Sequence, residues 1–186
     1  MAQLIAPVGI DPAGYRGLAS IFQYTNWDGD MGRFNCGQAA AATFLTFQGV
    51  FPPSQEQAQE IMRGLERERP PDILGGWFGT SRRQIEHICR QFGHELTEIN
   101  GEESLRNQLD RQQPVIVMLG VPGPKLFKRY VLPAGHWTVA YGYDEVNIHL
   151  TNWGAMSWPD FRTRWNSMVS RLISMRQRGL TRQAQG

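Results

Sequence analysis

The sequence predicts an α+β domain, with a helical first half followed by a small, largely antiparallel sheet. Three observations predict it. Up to residue 112, apolar residues recur at helical spacing between capping residues and glycines. From Pro114 the period changes, and "PVIVMLG" (114–120) is a continuous apolar run of strand length. "GHWTVAYGY" and "NIHLTNW" then supply two more strands, joined by "DEVN", a hairpin signal.

Each element follows in order. Residues 1–20 read as an irregular N-terminal segment with scattered Pro and Gly. "DGDMG" is a loop leading to the first helix, which Asn35 caps and Gly49 stops. "SQEQAQEIMRGLE" (54–66) is a second helix capped by Ser54. "TSRRQIEHICRQFG" (80–93) is a third, ending at Gly93, and "EESLRNQLDRQ" (102–112) is a fourth. After the strands, "SWPDFRTRWNSMVSRLISM" reads as a last helix. Ser157 and Asp160 form its capping box, and Phe161, Trp165, Met168 and Leu172 mark its apolar stripe. Residues 179–186 read as a flexible basic tail, with Arg171, Arg176, Arg178 and Arg182 solvated. The organisation is a single domain over 21–178, helical to about 112 and sheet-forming from about 113.

Composition excludes several classes. The 186 residues suffice for one domain with a real core. A net charge of +2 is too small to argue for a nucleic-acid partner. The cations are skewed to 17 Arg against 2 Lys, and nothing in the sequence explains the skew. Two cysteines 53 residues apart make neither a disulfide framework nor a zinc pattern, so no metal and no cofactor is expected. The start lacks the basic and apolar regions of a secretory signal, and no apolar run approaches a membrane span. The expectation is a cytoplasmic protein, or one exported without a cleavable signal peptide, with no membrane partner.

The chemistry centres on "NCGQAAAATF". Cys36 opens the first helix, where unpaired N–H groups and the macrodipole favour an anion, so its thiol pKa should be lowered. It is either a small core residue or a nucleophile. A nucleophile needs a base, a residue to orient it, and oxyanion donors. Of the four histidines, His87 and His94 lie in and just after a helix, and His149 lies inside an apolar strand; these read as structural. His136 opens a strand and is the candidate base. Asn152, in "TNWG", is the candidate orienter of its ring. Gln23 is the candidate oxyanion donor beside the Cys36 N–H, with Asn26 the second choice. Cys89 sits on an apolar helical face and reads as core. Trp27, Trp77, Trp137 and Trp153 either line a cleft or belong to the core and its rim.

The order Gln23, Cys36-Gly37 at a helix start, Gly135-His136 with Gly142-Tyr143, then Asn152 before Gly154 resembles papain-like cysteine peptidases. Its dress is similar to the bacteriocin-leader (double-glycine) peptidase-like branch. "CGQAAAATF" resembles that branch's Cys-Gly-Pro-small-small motif, with Gln38 in place of proline. "ESLRNQLDRQQPVIVML" resembles its helix-then-strand segment, and "MSWPDFRTRW" its Asp/Glu-Phe…Trp segment. "TNWG" is closer to the Asn-Ser-Trp-Gly of papain than to the Asp-Pro of the branch. The resemblance spans roughly residues 20–168. It implies a papain-like fold with the nucleophile helix packed on the sheet, and a site in the cleft between the two halves. It implies a thiol peptidase or amidase acting on a peptide or protein, with Gly135, Trp137 and Asn35 contacting the substrate. The family also contains acyl and amide transferases and inactive members, so acyl transfer by the same residues and a silent interaction domain stay open.

Strand register adds a constraint. Directly opposite residues of an antiparallel pair point to the same side. If "DEVN" is a plain four-residue loop, Tyr143 pairs with Ile148, Thr138 pairs with Trp153, and Asn152 points away from His136. A triad therefore requires an odd loop or a β-bulge before Asn152.

Overall fold

The alanine-rich stretch after Cys36 forms the central helix of the molecule. The computed structural model describes residues 3–4, 35–51, 55–73, 79–126, 130–167 and 177–183. In chain order its elements are β1 (Gln3–Leu4), α1 (Cys36–Phe47), α2 (Gln55–Glu68), α3 (Arg82–Gln91), β2 (Leu96–Asn100), α4 (Gly101–Asp110), β3 (Val115–Leu126), β4 (Tyr130–Tyr143), β5 (Asn147–Leu150), β6 (Gly154–Ser157), α5 (Trp158–Trp165) and β7 (Arg178–Arg182). This is the expected mixture of helices and antiparallel sheet. Among the described residues no helix is long and apolar enough to cross a membrane.

Every residue of α1 is buried, and the helix packs against β4 and β3 and against α2 and α3. Ala39–Ala42 end at Cβ, so the helix axis can lie close to the sheet. Thr43 and Thr46 donate back to the carbonyls of Ala39 and Ala42 at 2.7 and 3.0 Å, which keeps their hydroxyls satisfied in the core. Gly49 ends the helix with φ 76°, as a C′ glycine should. Asn35 holds the cap position but its side chain makes no cap bond. Its amide donates instead to Glu66 Oε1 on α2. Ser81, and not Thr80, caps α3 by accepting from Gln84 N–H at 3.2 Å. Ser54 and most of residues 1–20 lie outside the described residues.

The strand order is β2-β7-β3-β4-β5-β6, with β1 paired to β4 beside Gly142 and Tyr143. Gln3–Leu4 thus departs from the irregular segment expected there. The expected tail is corrected more sharply. Arg178–Arg182 is a strand between β2 and β3, with Leu180 and Thr181 fully buried. Its physical basis is backbone pairing on both edges, which a run with one large apolar residue does not advertise. Arg178 pairs with Glu98 at 3.1 Å, so it is not simply solvated. β2 and β6 are likewise strands that the sequence pattern did not mark. β3 runs on through Pro122 and Pro124, with its register shifting between Pro122 and Lys125. The last helix stops at Trp165 with Asn166 as C-cap. Met168 and Leu172 of its expected stripe lie outside the described residues.

The β4–β5 hairpin resolves the register problem. Tyr143 pairs with Ile148 and Gly142 with His149, as a plain four-residue loop dictates. Then the ladder shifts, and Ala140 faces Leu150. Tyr141 is the extra residue of a bulge on β4, next to a glycine. The shift moves everything beyond it by one position, which brings Asn152 level with Thr138 and toward His136. The turn after β5 is then pinned by Thr151 N–H to Val139 O at 3.0 Å and Val139 N–H to Thr151 Oγ1 at 3.3 Å.

A polar strut fixes α1 against the sheet. Gln38 is fully buried; its Nε2 donates to Arg69 O at 2.8 Å and its Oε1 accepts from Thr80 Oγ1 at 2.6 Å. Thr80 O in turn accepts from the Trp137 indole at 2.8 Å. Gly37 is pressed against the same threonine: a Cβ there would lie 2.4 Å from Thr80 Cβ. Gly37→Ala should therefore destabilise the fold by about 1–3 kcal/mol through overpacking. Urea unfolding checks this, and an unchanged midpoint would show that the contact is slack.

Candidate active site

Cys36, His136 and Asn152 come from three different elements. α1 begins at Cys36 because Ala39 N–H bonds to Asn35 O at 3.0 Å, closing the first turn there. His136 stands on β4 opposite Leu119 of β3. Asn152 stands in the turn between β5 and β6, where the bulge has carried it.

The structure joins His136 to Asn152, and it packs the Cys36 helix against the strand that carries His136. The backbone N–H groups of Trp137, Gly37 and Cys36 itself act to lower the Cys36 thiol pKa. Trp137 directly follows His136, so the Cys36 helix start and the imidazole belong to the same helix–strand contact. His136 Nε2 lies 3.3 Å from the Asn152 side-chain amide, in which Nδ2 faces the ring. A half-turn of the amide presents Oδ1 to an Nε2–H at the same spacing. With Nε2 engaged by Asn152, Nδ1 is left as the nitrogen for proton exchange with a thiol or substrate. The Trp153 ring stands 6.0 Å from the imidazole, centroid to centroid, and walls one side of this contact.

The electrostatics correct one expectation. A helix N-terminus and three N–H donors favour a thiolate, yet burial pushes the Cys36 thiol above its usual range. Only 8% of the residue is exposed, so lost hydration of the anion outweighs the donors. Burial also lowers His136, to about 4. At neutral pH the pair is therefore thiol and neutral imidazole. Cys89 is fully buried, and desolvation followed by the nearby Glu86 carboxylate pushes its thiol up to about 12. That is the inert core cysteine that its helical face suggested.

Other candidates are placed differently. Trp137 is fully buried and its indole serves the strut, so its side chain is not a substrate contact. Asn35 is also fully buried, with its amide turned to Glu66. Burial takes both side chains from the role the resemblance implies. Gly135 is partly exposed beside His136 and pairs with Gly120. His149 faces Asp144 at 3.3 Å inside the hairpin, a structural place. Gln23, Asn26, Trp27 and Trp77 lie outside the described residues. Among the described residues no three His, Cys, Asp or Glu side chains gather as metal ligands.

Two partners of the site carry little signal in the sequence. Thr80 carries the strut, and its only sequence signal is a polar Gln38 in an alanine run, which must find partners once buried. Arg164 of α5 stacks over Trp153, its Cζ 4.9 Å from the ring centroid, and no local pattern announces it.

No protein-family model matches the chain, and no curated protein matches it. Among solved structures, one described as a "putative C39-like peptidase" from Bacillus anthracis superposes with a TM-score of 0.41 at 12% sequence identity. The match covers 59% of this chain, which spans 62% of the other chain's length. A likeness at that level carries no conclusion on fold family or chemistry; the site stands on the geometry around Cys36 and His136.

Proposed function

We propose that the chain is a thiol-dependent peptidase or amidase on a papain-like fold. The observation that carries this reading is a buried cysteine at the start of a helix packed on the strand of a histidine that an asparagine faces. The bacteriocin-leader-like branch is the finer reading, supported by motif order alone.

Chemistry follows from a neutral resting pair. As Cys36 Sγ bonds to the carbonyl carbon, its proton passes to His136. The oxyanion is held by the Cys36 N–H and Gln23. His136 then gives the proton to the departing amine as the C–N bond breaks, leaving an acyl-enzyme. Water attacks next, His136 takes its proton, and the thiol leaves restored. Acyl transfer replaces that water by an amine or thiol. A silent interaction domain is the rival that burial of Cys36 favours. Stoichiometric labelling of Cys36 by an electrophilic peptide mimic separates it from the catalytic readings.

Three outcomes are expected. Cys36→Ala should abolish turnover and labelling, while Cys89→Ala changes stability only modestly; equal loss of turnover in both folded variants would overturn the assignment. Gln23→Ala should lower turnover by about a hundredfold, the scale of one lost oxyanion donor, and leave alkylation nearly intact. If turnover is untouched, the donor is elsewhere. The third outcome concerns pH. A raised thiol pKa keeps Cys36 protonated at neutral pH, so its alkylation rate should be low at pH 7 and still climbing at the ordinary thiol value of 9.0. Because His136 is lowered to about 4, it should stay neutral, and able to act as base, down to that pH. Iodoacetamide kinetics decide the matter: a rate plateau reached by mildly acidic pH would mean a thiolate–imidazolium pair instead.

A further inference from the structure

The Trp153 wall of the site carries a positive charge. Arg164 lies over Trp153, and its Nη1 donates to Gly120 O at 3.3 Å. Gly120 pairs with Gly135, the residue before His136. α5 can deliver this side chain so close because Gly120 has no Cβ: one there would lie 2.3 Å from Ser167 Cβ. The guanidinium is thus held by a carbonyl and by the indole whose centroid stands 6.0 Å from that of the imidazole.

Among the described residues no carboxylate neutralises its charge. Arg82 pairs with Glu86 and Glu98, Arg106 and Arg162 pair with Glu102, and Arg178 pairs with Glu98. Among the described residues no carboxylate lies within ion-pair distance of Arg164, which is partly exposed. One N–H is spent on Gly120; the rest of the fork remains for a ligand.

Position in the reaction says which part of a substrate it meets. The imidazole must reach the nitrogen of the departing amine to protonate it. The leaving portion of the substrate therefore lies over His136 and against the wall beyond it, which is Trp153 and Arg164. We infer that Trp153 and Arg164 form a subsite for a carboxylate carried on the leaving side of the scissile bond. The inference rests on the peptidase or amidase reading. The carboxylate is either an acidic side chain next to the cleaved bond or the substrate's own C-terminus. In both cases the guanidinium fork takes the oxygens, and the indole packs against the aliphatic atoms beside them.

Full-length Cys36→Ala protein, which cannot turn over, tests this without catalysis. The indole N–H resonance of Trp153, assigned with Trp153→Phe, is followed by NMR. Three dipeptide probes are titrated: glutamyl-glycine amide, glutaminyl-glycine with a free C-terminus, and glutaminyl-glycine amide. One of the first two should shift the resonance and bind about fivefold more tightly than the neutral third, the scale of a partly exposed charge pair. The first winning identifies a side chain, and the second a C-terminus. That advantage should vanish in Arg164→Gln, survive in part in Arg164→Lys, and weaken with added salt in protein carrying Arg164. Equal binding of all three probes, or an acid preference insensitive to both substitutions and to salt, overturns the inference. An inert Cys36 in the labelling experiment would defeat the peptidase reading while leaving this binding result unchanged.

Discussion

The strut from Gln38 through Thr80 to the Trp137 indole is the contact on which the site depends. α1 is buried along its whole length, but alanines offer a smooth surface with little to resist sliding along β4. Burial of apolar area is non-directional. Hydrogen bonds are directional, and a buried one that breaks leaves a costly unpaired group. Gln38 and Thr80 therefore set the height of the helix against the sheet, and Gly37, flush with Thr80, sets its depth. Cys36 is one residue from Gly37 and His136 is one residue from Trp137. The neighbours of Cys36 and of His136 are thus locked to the same threonine.

That lock has an electrostatic consequence. Seating the thiol deep enough to touch the Trp137 N–H removes it from water. Desolvation acts on the anion, and three dipoles recover only part of what hydration supplied. The imidazole beside it suffers the same loss as a cation. Both shifts favour the uncharged forms, thiol and neutral imidazole.

Much of the architecture was legible in the sequence because it rests on local signals. Capping residues, Gly49 and Gly93 mark helix ends through backbone conformation. The apolar run at 115–119 marks a buried strand. The need for an odd loop or a bulge between His136 and Asn152 was legible from strand alternation alone, and Tyr141 supplies the bulge. What was not legible is non-local. β7 has one buried large apolar side chain and owes its place to backbone bonds with strands far away in sequence. The fate of the Asn35 amide depended on Glu66, thirty-one residues on. Helix-start arguments gave the direction of the dipole on Cys36 and could not give the depth of burial that opposes it.

The position of β7 bears on how the molecule is made. β2 ends at Asn100, and its sheet partner is completed only at Arg182. At ribosomal speeds the interval between the two is on the order of 4–16 s. Once the β3–β4 hairpin has been made, the slot where β7 will sit is still open, with the Ile116 and Val117 backbone facing it. Closing the slot joins segments some eighty residues apart, a slow, entropically costly step compared with forming a hairpin. The nascent protein therefore passes through a stage in which a buried edge is exposed, and a strand from another chain could take it before its own arrives.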